Sequence, residues 1–179
     1  MPLPLAHALC GTIVVAALRS TVSLRNDWKP MALGAALAVI PDFDVVFLWV
    51  MRWGNDWHRG FTHSFVFAAA ASFVACVLMR TRLPEQRLAY GLAAVSHCFL
   101  DFFTSKSRDG VELLWPFSMY RFTFGLFDYF ESPANPRYHS LCAFILKFLE
   151  ISFYEAMIFV PILLVLLIIN QTNQQPSNY

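Results

Sequence analysis

Residues 58–64 read His-Arg-Gly-Phe-Thr-His-Ser, a short stretch that carries two imidazoles, a guanidinium and two hydroxyls. Imidazoles bind transition metals, and a guanidinium can hold an anionic group. On one continuous helix His58 and His63 would lie about 140° apart around the axis. Both rings can point to one place if His58 lies in a loop and Gly60 allows a tight turn. Thr62 would then cap a helix that begins at His63.

A second pair of polar residues, His97 and Asp101, lies four residues apart in an apolar segment. This spacing places both side chains on one face of a helix. An isolated aspartate at the centre of a membrane helix costs about 2.5 to 3.5 kcal/mol, so Asp101 needs a compensating partner. The two side chains either hydrogen-bond to each other and lock two helices together, or they bind a metal ion.

Three further candidates lie in apolar surroundings. Asp42 and Asp44 flank Phe43 directly after a proline, Pro41, that should end a helix near residue 39. The carboxylates could cap the next half-helix, bind metal, or divide the two roles between them. His7 lies one turn inside the first apolar segment, where on its own a histidine is more often a hydrogen-bonded core residue.

These residues together form a set of nitrogen and oxygen donors from four segments, which suits zinc, manganese or iron and could hold two ions that share a carboxylate. Arg59 could bind an anionic substrate or pair with Asp56. Thr62 and Ser64 are expected to act as helix caps or as donors to the ligands. The candidate ligands are His7, Asp42, Asp44, His58, His63, His97 and Asp101.

The composition of the 179-residue chain predicts a membrane protein, because 58% of its residues are hydrophobic and only 14% are charged. The net charge of +1 excludes the basic field typical of nucleic-acid binding. We expect an all-α, polytopic protein with four or five transmembrane helices and the metal site between helices near one membrane face. One domain should cover residues 1–170, followed by a polar, disordered tail at 171–179. The predicted segments are 3–18, 31–53, 61–79, 88–103 and 141–169.

Two short loops, residues 19–30 and 80–87, each carry three Lys or Arg residues. The positive-inside rule makes their side cytoplasmic, so the candidate ligands should face the extracytoplasmic side. The predicted depths of these ligands in the membrane disagree, because Asp42 and His97 lie in the middle of predicted segments whereas His63 lies near the end of one. Short or tilted helices around a water-filled pocket would reconcile them.

The chain resembles the YdjM-like membrane-bound metal-dependent hydrolases over roughly residues 5 to 120. It matches the early histidine, the Pro-Asp-x-Asp at 41–44, the heptad at 58–64, the His-x-x-x-Asp at 97–101 and the Leu-Leu-Trp-Pro at 113–116. This resemblance implies an integral protein of the bacterial inner membrane. The family looks distantly similar to zinc-dependent phospholipase C and P1-type nucleases, which use three zinc ions, a second His-x-x-x-Glu and an N-terminal tryptophan. This chain has neither a second His-x-x-x-Glu nor an N-terminal tryptophan, so we expect one or two metal ions, and zinc before other metals.

The function expected from these residues and this resemblance is hydrolysis of a phosphoester, or another ester, in a lipid or lipid-linked substrate by metal-activated water. Asp44, Arg59 and His58 are the predicted catalytic residues, with Asp44 or Asp42 as general base and Arg59 offsetting negative charge. One alternative is an ion or proton transporter with an intramembrane His/Asp pathway. Another is a non-catalytic membrane scaffold with a structural metal. The bilayer is the expected partner, and the sequence does not give an oligomeric state.

Overall fold

The computed structural model describes residues 3–19, 24–44, 46, 50–51, 58–104, 110–126 and 140–172, without the side chains of 24–27. Within these ranges an antiparallel bridge between Val111 and Phe122 is the only β-type pairing, so the all-α prediction is confirmed for them. The described residues contain five named α-helices: α1 Pro4–Leu18, α2 Leu24–Val39, α3 Phe65–Leu78, α4 Pro84–Thr104 and α5 Leu141–Thr172.

Helix α1 is the centre of the packing, because it contacts α2, α4 and α5, while α3 packs on α4. Two glycines bring α1 and α2 close together. A methyl group on Gly11 would collide with the Gly34 carbonyl oxygen, and one on Gly34 would collide with Val15. Small residues of this kind let helix backbones approach in membrane proteins. The close crossing determines the distance between the start of α1 and the residues that follow α2.

The start of α2 differs from the sequence prediction. Residues 19–30 were expected to form a polar loop, but α2 begins at Leu24 and contains Pro30. A proline inside a helix costs about 3 kcal/mol in isolation. Packing of α2 against α1 and α4 outweighs this cost, and periodicity alone did not show it. The predicted end near residue 39 is confirmed, since α2 stops at Val39 and a 3-10 helix, Ile40–Asp44, follows it.

The predicted cap at Thr62 is wrong. Residues Phe61–His63 form a short 3-10 helix, and α3 begins at Phe65 with Ser64 as its N-cap. The Ser64 hydroxyl accepts a hydrogen bond from the Phe67 amide at 3.1 Å. Thr62 cannot take this role because its hydroxyl contacts Asp44 instead.

Helix α5 is long and apolar enough to cross a membrane, and no other helix in the described ranges passes that test. Its 32 residues extend about 48 Å. Helices α1 and α3 are apolar but shorter. Glu155 of α5 is buried, and its carboxylate accepts hydrogen bonds from the backbone amides of Leu3 and Ala6 at the start of α1. Apart from residues 171–172, which end α5, the predicted tail lies outside the described residues.

Residues 110–126 form an irregular segment that packs on the 58–64 stretch. The Phe65 amide donates to the Leu113 carbonyl at 3.0 Å, and the rings of Phe61 and Trp115 lie 5.7 Å apart. Arg121 donates to the His58 carbonyl at 3.2 Å. This segment therefore fixes the loop that carries the predicted site.

Candidate metal centre

Four of the predicted ligands meet at one end of the bundle. One ligand atom each from His7, Asp42, His97 and Asp101 lies within 4.8 Å of the other three. The Nε2 atom of His7 is 3.5 Å from Asp101 Oδ1 and 3.9 Å from Asp42 Oδ2. The Nε2 atom of His97 is 3.8 Å from Asp42 Oδ1 and 3.7 Å from Asp101 Oδ2. We call these four residues the inner group.

His63 borders the inner group. Its Nε2 atom lies 3.1 Å from Asp101 Oδ2 and 3.9 Å from Asp42 Oδ1, and its ring lies 4.6 Å from that of His97. The donors of one tetrahedral zinc ion are about 3.3 Å apart, and opposite donors of an octahedral ion are about 4.2 Å apart. The spacing of the five side chains therefore suits one small divalent ion.

Five buried polar atoms that face this space make no hydrogen bond in the described part of the chain. They are the Nε2 atoms of His7, His63 and His97 and both carboxylate oxygens of Asp101, all of them buried. Leaving one such group unpaired costs about 1 to 3 kcal/mol, and a charged group costs more. A cation among them would satisfy all five atoms, so the donor set fits a metal ion.

Hydrogen bonds on the far side of two rings determine which nitrogen faces the centre. His97 Nδ1 lies 2.7 Å from the Ala38 carbonyl, which can only accept, so Nδ1 carries the proton. Because the Thr62 hydroxyl donates its proton to Asp44 at 3.3 Å, its oxygen is an acceptor for a proton on His63 Nδ1, 3.0 Å away. With the proton on Nδ1, each ring presents the Nε2 lone pair to the inner group, as metal ligands do.

The predicted closed pair of His97 and Asp101 is not what the structure shows. Their closest approach, 3.7 Å, is too long for a hydrogen bond, and the Nδ1 proton of His97 goes to Ala38. Asp101 lies between three imidazoles instead. The hydrogen bond between His97 and Asp101 that would lock two helices together is therefore absent.

Asp44 lies beside the inner group and organises the 58–64 stretch. Its carboxylate accepts hydrogen bonds from the Arg59 amide at 2.9 Å, from His58 Nδ1 at 3.1 Å and from the Thr62 hydroxyl. The oxygens of the Asp44 carboxylate are thus already engaged by the 58–64 stretch.

Arg59 is buried, and its Nε atom lies 4.0 Å from Asp101 Oδ2. The residue has a φ of 60°, so Arg59 rather than Gly60 takes the left-handed conformation at this turn. Its amide donates to Asp44, and its carbonyl accepts from the Glu112 amide at 3.2 Å. Backbone contacts on both sides therefore hold a costly conformation that brings the guanidinium next to Asp101.

The seven predicted ligands thus fall into two sets. The inner group and His63 converge on one space, whereas His58 and Asp44 pair with each other beside it, and whether Asp44 or His58 binds metal stays a prediction. The possible partner Asp56 lies outside the described residues. Sequence reasoning missed the Gly11–Gly34 crossing, the Ala38 carbonyl and the Glu155 contact with α1. The glycines inside two apolar segments could have indicated the Gly11–Gly34 crossing. No sequence signal indicated the role of the Ala38 carbonyl, or the contact of Glu155 with a residue 152 positions away in the chain.

Comparison with known proteins agrees with the motifs. The YdjM inner membrane protein family matches residues 1–174 of the chain. The inner membrane protein YbcI of Escherichia coli (strain K12) is 36% identical over 129 residues, which cover 68% of this chain and 72% of that protein. No solved structure matches the chain.

Proposed function

The chain belongs to the family of YdjM inner membrane proteins, and we propose that it is a metal-dependent hydrolase of that membrane. The inner group and His63 would hold the ion, with zinc preferred over manganese or iron because imidazole supplies three of the five donors. The observation that carries this proposal is the convergence of five buried, unpaired polar atoms on one space.

The charge of the site supports a single ion. With neutral histidines, Asp42, Asp44, Asp101 and Arg59 leave two negative charges in a largely buried region. Uncompensated charge in such surroundings costs several kcal/mol per ion. One divalent cation neutralises the site, whereas two would leave it positive.

Each residue around the ion has a separate role in the proposed reaction. When bound, a divalent cation supplies Lewis-acid activation of a water molecule. His58 donates from Nδ1 to Asp44, which leaves Nε2 free to accept a proton as general base. Asp44 orients this ring in the way a carboxylate orients a catalytic histidine. Arg59 offsets negative charge that develops on a phosphoryl or acyl oxygen.

The substrate that we propose is a lipid or lipid-linked ester, with a phosphoester first. Support comes from the membrane family and from the apolar side chains that α5 exposes along its length, which include Leu146, Phe153 and Leu164. We also propose that four or five helices span the bilayer. The basic residues Arg19, Arg80 and Arg87 lie at the end of α1, just after the end of α3 and in the first turns of α4, and His7 and Asp101 lie toward the other ends of α1 and α4. By the positive-inside rule, the metal centre then faces the extracytoplasmic side.

The test is hydrolysis by metal-loaded protein in detergent or nanodiscs, assayed on phospholipids and generic phosphodiesters. We expect turnover that chelation removes and zinc restores, and that Asp101→Ala abolishes. Glu150→Gln is the matched control, since this half-exposed carboxylate pairs with Lys147 on α5. Inactivity of the metal-loaded protein on every substrate would refute the hydrolase. Ion flux in proteoliposomes would then support transport, and unfolding on chelation would support a structural metal.

A further inference from the structure

A second polar region lies at the opposite end of the helices, where α3 ends and α4 begins. Two grooves meet there and share Arg80, Thr81 and Arg82 as a common wall. The larger groove, of about 520 Å³, is also lined by Trp28, Lys29, Gln86 and Tyr90. The smaller one, of about 380 Å³, is also lined by Phe73, Cys76, Val77 and Arg87.

The charged side chains that line the two grooves all have the same sign, while Glu85 lies exposed in the first turn of α4. Four cations line the grooves, and no carboxylate does so among the residues that the structure describes. Helix α4 begins at Pro84, so its amino-terminal dipole adds positive potential at the same place. Arg87 is held in position, because its Nε donates to the Thr81 carbonyl at 2.9 Å. The region is therefore suited to an anion. The four cations are Lys29, Arg80, Arg82 and Arg87.

The backbone at Arg80 is an independent sign of function. Helix α3 ends with hydrogen bonds from Thr81 to Cys76 at 2.9 Å and from Arg80 to Val77 at 3.1 Å, which form a Schellman motif. Arg80 takes the left-handed position of this motif with a φ of 51°. Glycine is the usual residue there, since a side chain is strained in this conformation. An arginine in this place supplies a guanidinium at a cost in stability that glycine would avoid.

Apolar surface adjoins the cations. Phe73 and Val77 line the smaller groove, and Met79 lines the larger one. All three side chains are more than half exposed. In the membrane proposed above, acyl chains lie against this surface, so the cations stand beside phospholipid headgroups. We propose that the paired grooves bind an anionic phospholipid, with the headgroup phosphate at Arg80, Arg82 and Arg87. This site is independent of the metal centre and of the proposed hydrolysis.

The experiment is native mass spectrometry and thermal unfolding of the detergent-purified protein with added phosphatidylglycerol, and with phosphatidylcholine of the same chain length. We expect the anionic lipid to bind several-fold more tightly. One basic side chain near a membrane surface contributes about fivefold in affinity. Arg80→Gly and Arg82→Ala should therefore each weaken binding by about that factor.

Arg80→Gly separates binding from folding, because glycine suits the left-handed position. The lipid-free variant should unfold at the same or a higher temperature than the wild type while it binds the lipid less well. Lys147→Gln removes a cation from α5 and should leave lipid binding unchanged. Equal binding of the two lipids, or wild-type binding by Arg80→Gly, would overturn the proposal. Displacement of the lipid by millimolar inorganic phosphate would also overturn it, in favour of a soluble anion.

Discussion

Thr62→Val tests whether His63 is a metal ligand, and its effect follows from two hydrogen bonds. The Thr62 hydroxyl accepts from His63 Nδ1 and donates to Asp44, and the residue is buried. Valine has the same shape without the hydroxyl, so the His63 Nδ1 proton would lose its acceptor. Asp44 Oδ2, at 3.7 Å from that nitrogen, is too far away to replace it.

The penalty for an unpaired buried donor is about 1 to 3 kcal/mol, which corresponds to roughly a 5- to 150-fold change in an equilibrium constant. It affects the metal-bound state most, because bound metal requires the Nε2 lone pair and therefore keeps the proton on Nδ1. Partners of metal ligands generally contribute 10- to 100-fold in affinity. We expect Thr62→Val to weaken metal binding by about 10- to 100-fold.

The assay is competition with a chelator of known affinity, performed on detergent-purified protein. Thr62→Ser is the matched control, because it retains the hydroxyl and should bind metal within a few-fold of the wild type. Thermal unfolding of the metal-free variants would show whether Thr62→Val keeps its fold. A folded Thr62→Val protein with wild-type metal affinity would refute the assignment of His63 and of the proton on its Nδ1 atom.

Three further substitutions test the elements that hold the centre. Gly34→Val should separate α1 from α2, lower stability by about 1 to 3 kcal/mol and weaken metal binding. The control is Gly91→Ala, at a helix position with open space around it, which should change neither stability nor metal binding. Ser64→Ala should lower stability by about 1 kcal/mol through loss of the α3 cap, whereas Ser64→Thr keeps a hydroxyl that can accept from the Phe67 amide and donate to the Phe61 carbonyl, and should retain most of that stability. An unchanged unfolding temperature in Ser64→Ala would contradict the cap. Glu155→Gln should lower the unfolding temperature and loosen the start of α1, which faster hydrogen exchange of the Leu3 and Ala6 amides would show. Unchanged exchange at these amides would contradict the role of Glu155 in holding α1.

The sequence was sufficient to predict that donors from four segments meet, because polar residues in apolar helices need partners. His7, Asp42, His97 and Asp101 do converge, and His63 from the remaining segment borders them. The sequence also placed Asp42 and His97 in the middle of predicted segments and His63 near an end. The structure places Asp42 three residues beyond the end of α2 at Val39, and His97 about two turns before the end of α4 at Thr104.

The roles of individual residues were harder to predict, because they depend on contacts distant in the chain. Thr62 resembled a cap, but its hydroxyl is used by Asp44, and Ser64 caps α3 instead. The tautomer of His97 depends on the Ala38 carbonyl, which any residue at that position would provide. Glu155 resembled one charge on an amphipathic helix, yet it binds the start of α1.

Elemental analysis of the purified, tag-free protein tests the central claim most directly. The claim is that the inner group and His63 hold one divalent ion between helices. We predict about one equivalent of metal per chain after loading and dialysis, and loss of that metal in both Asp101→Ala and His97→Ala with Glu150→Gln unchanged. A folded wild-type protein that retains no metal, or an Asp101→Ala variant that retains a full equivalent, would contradict the claim.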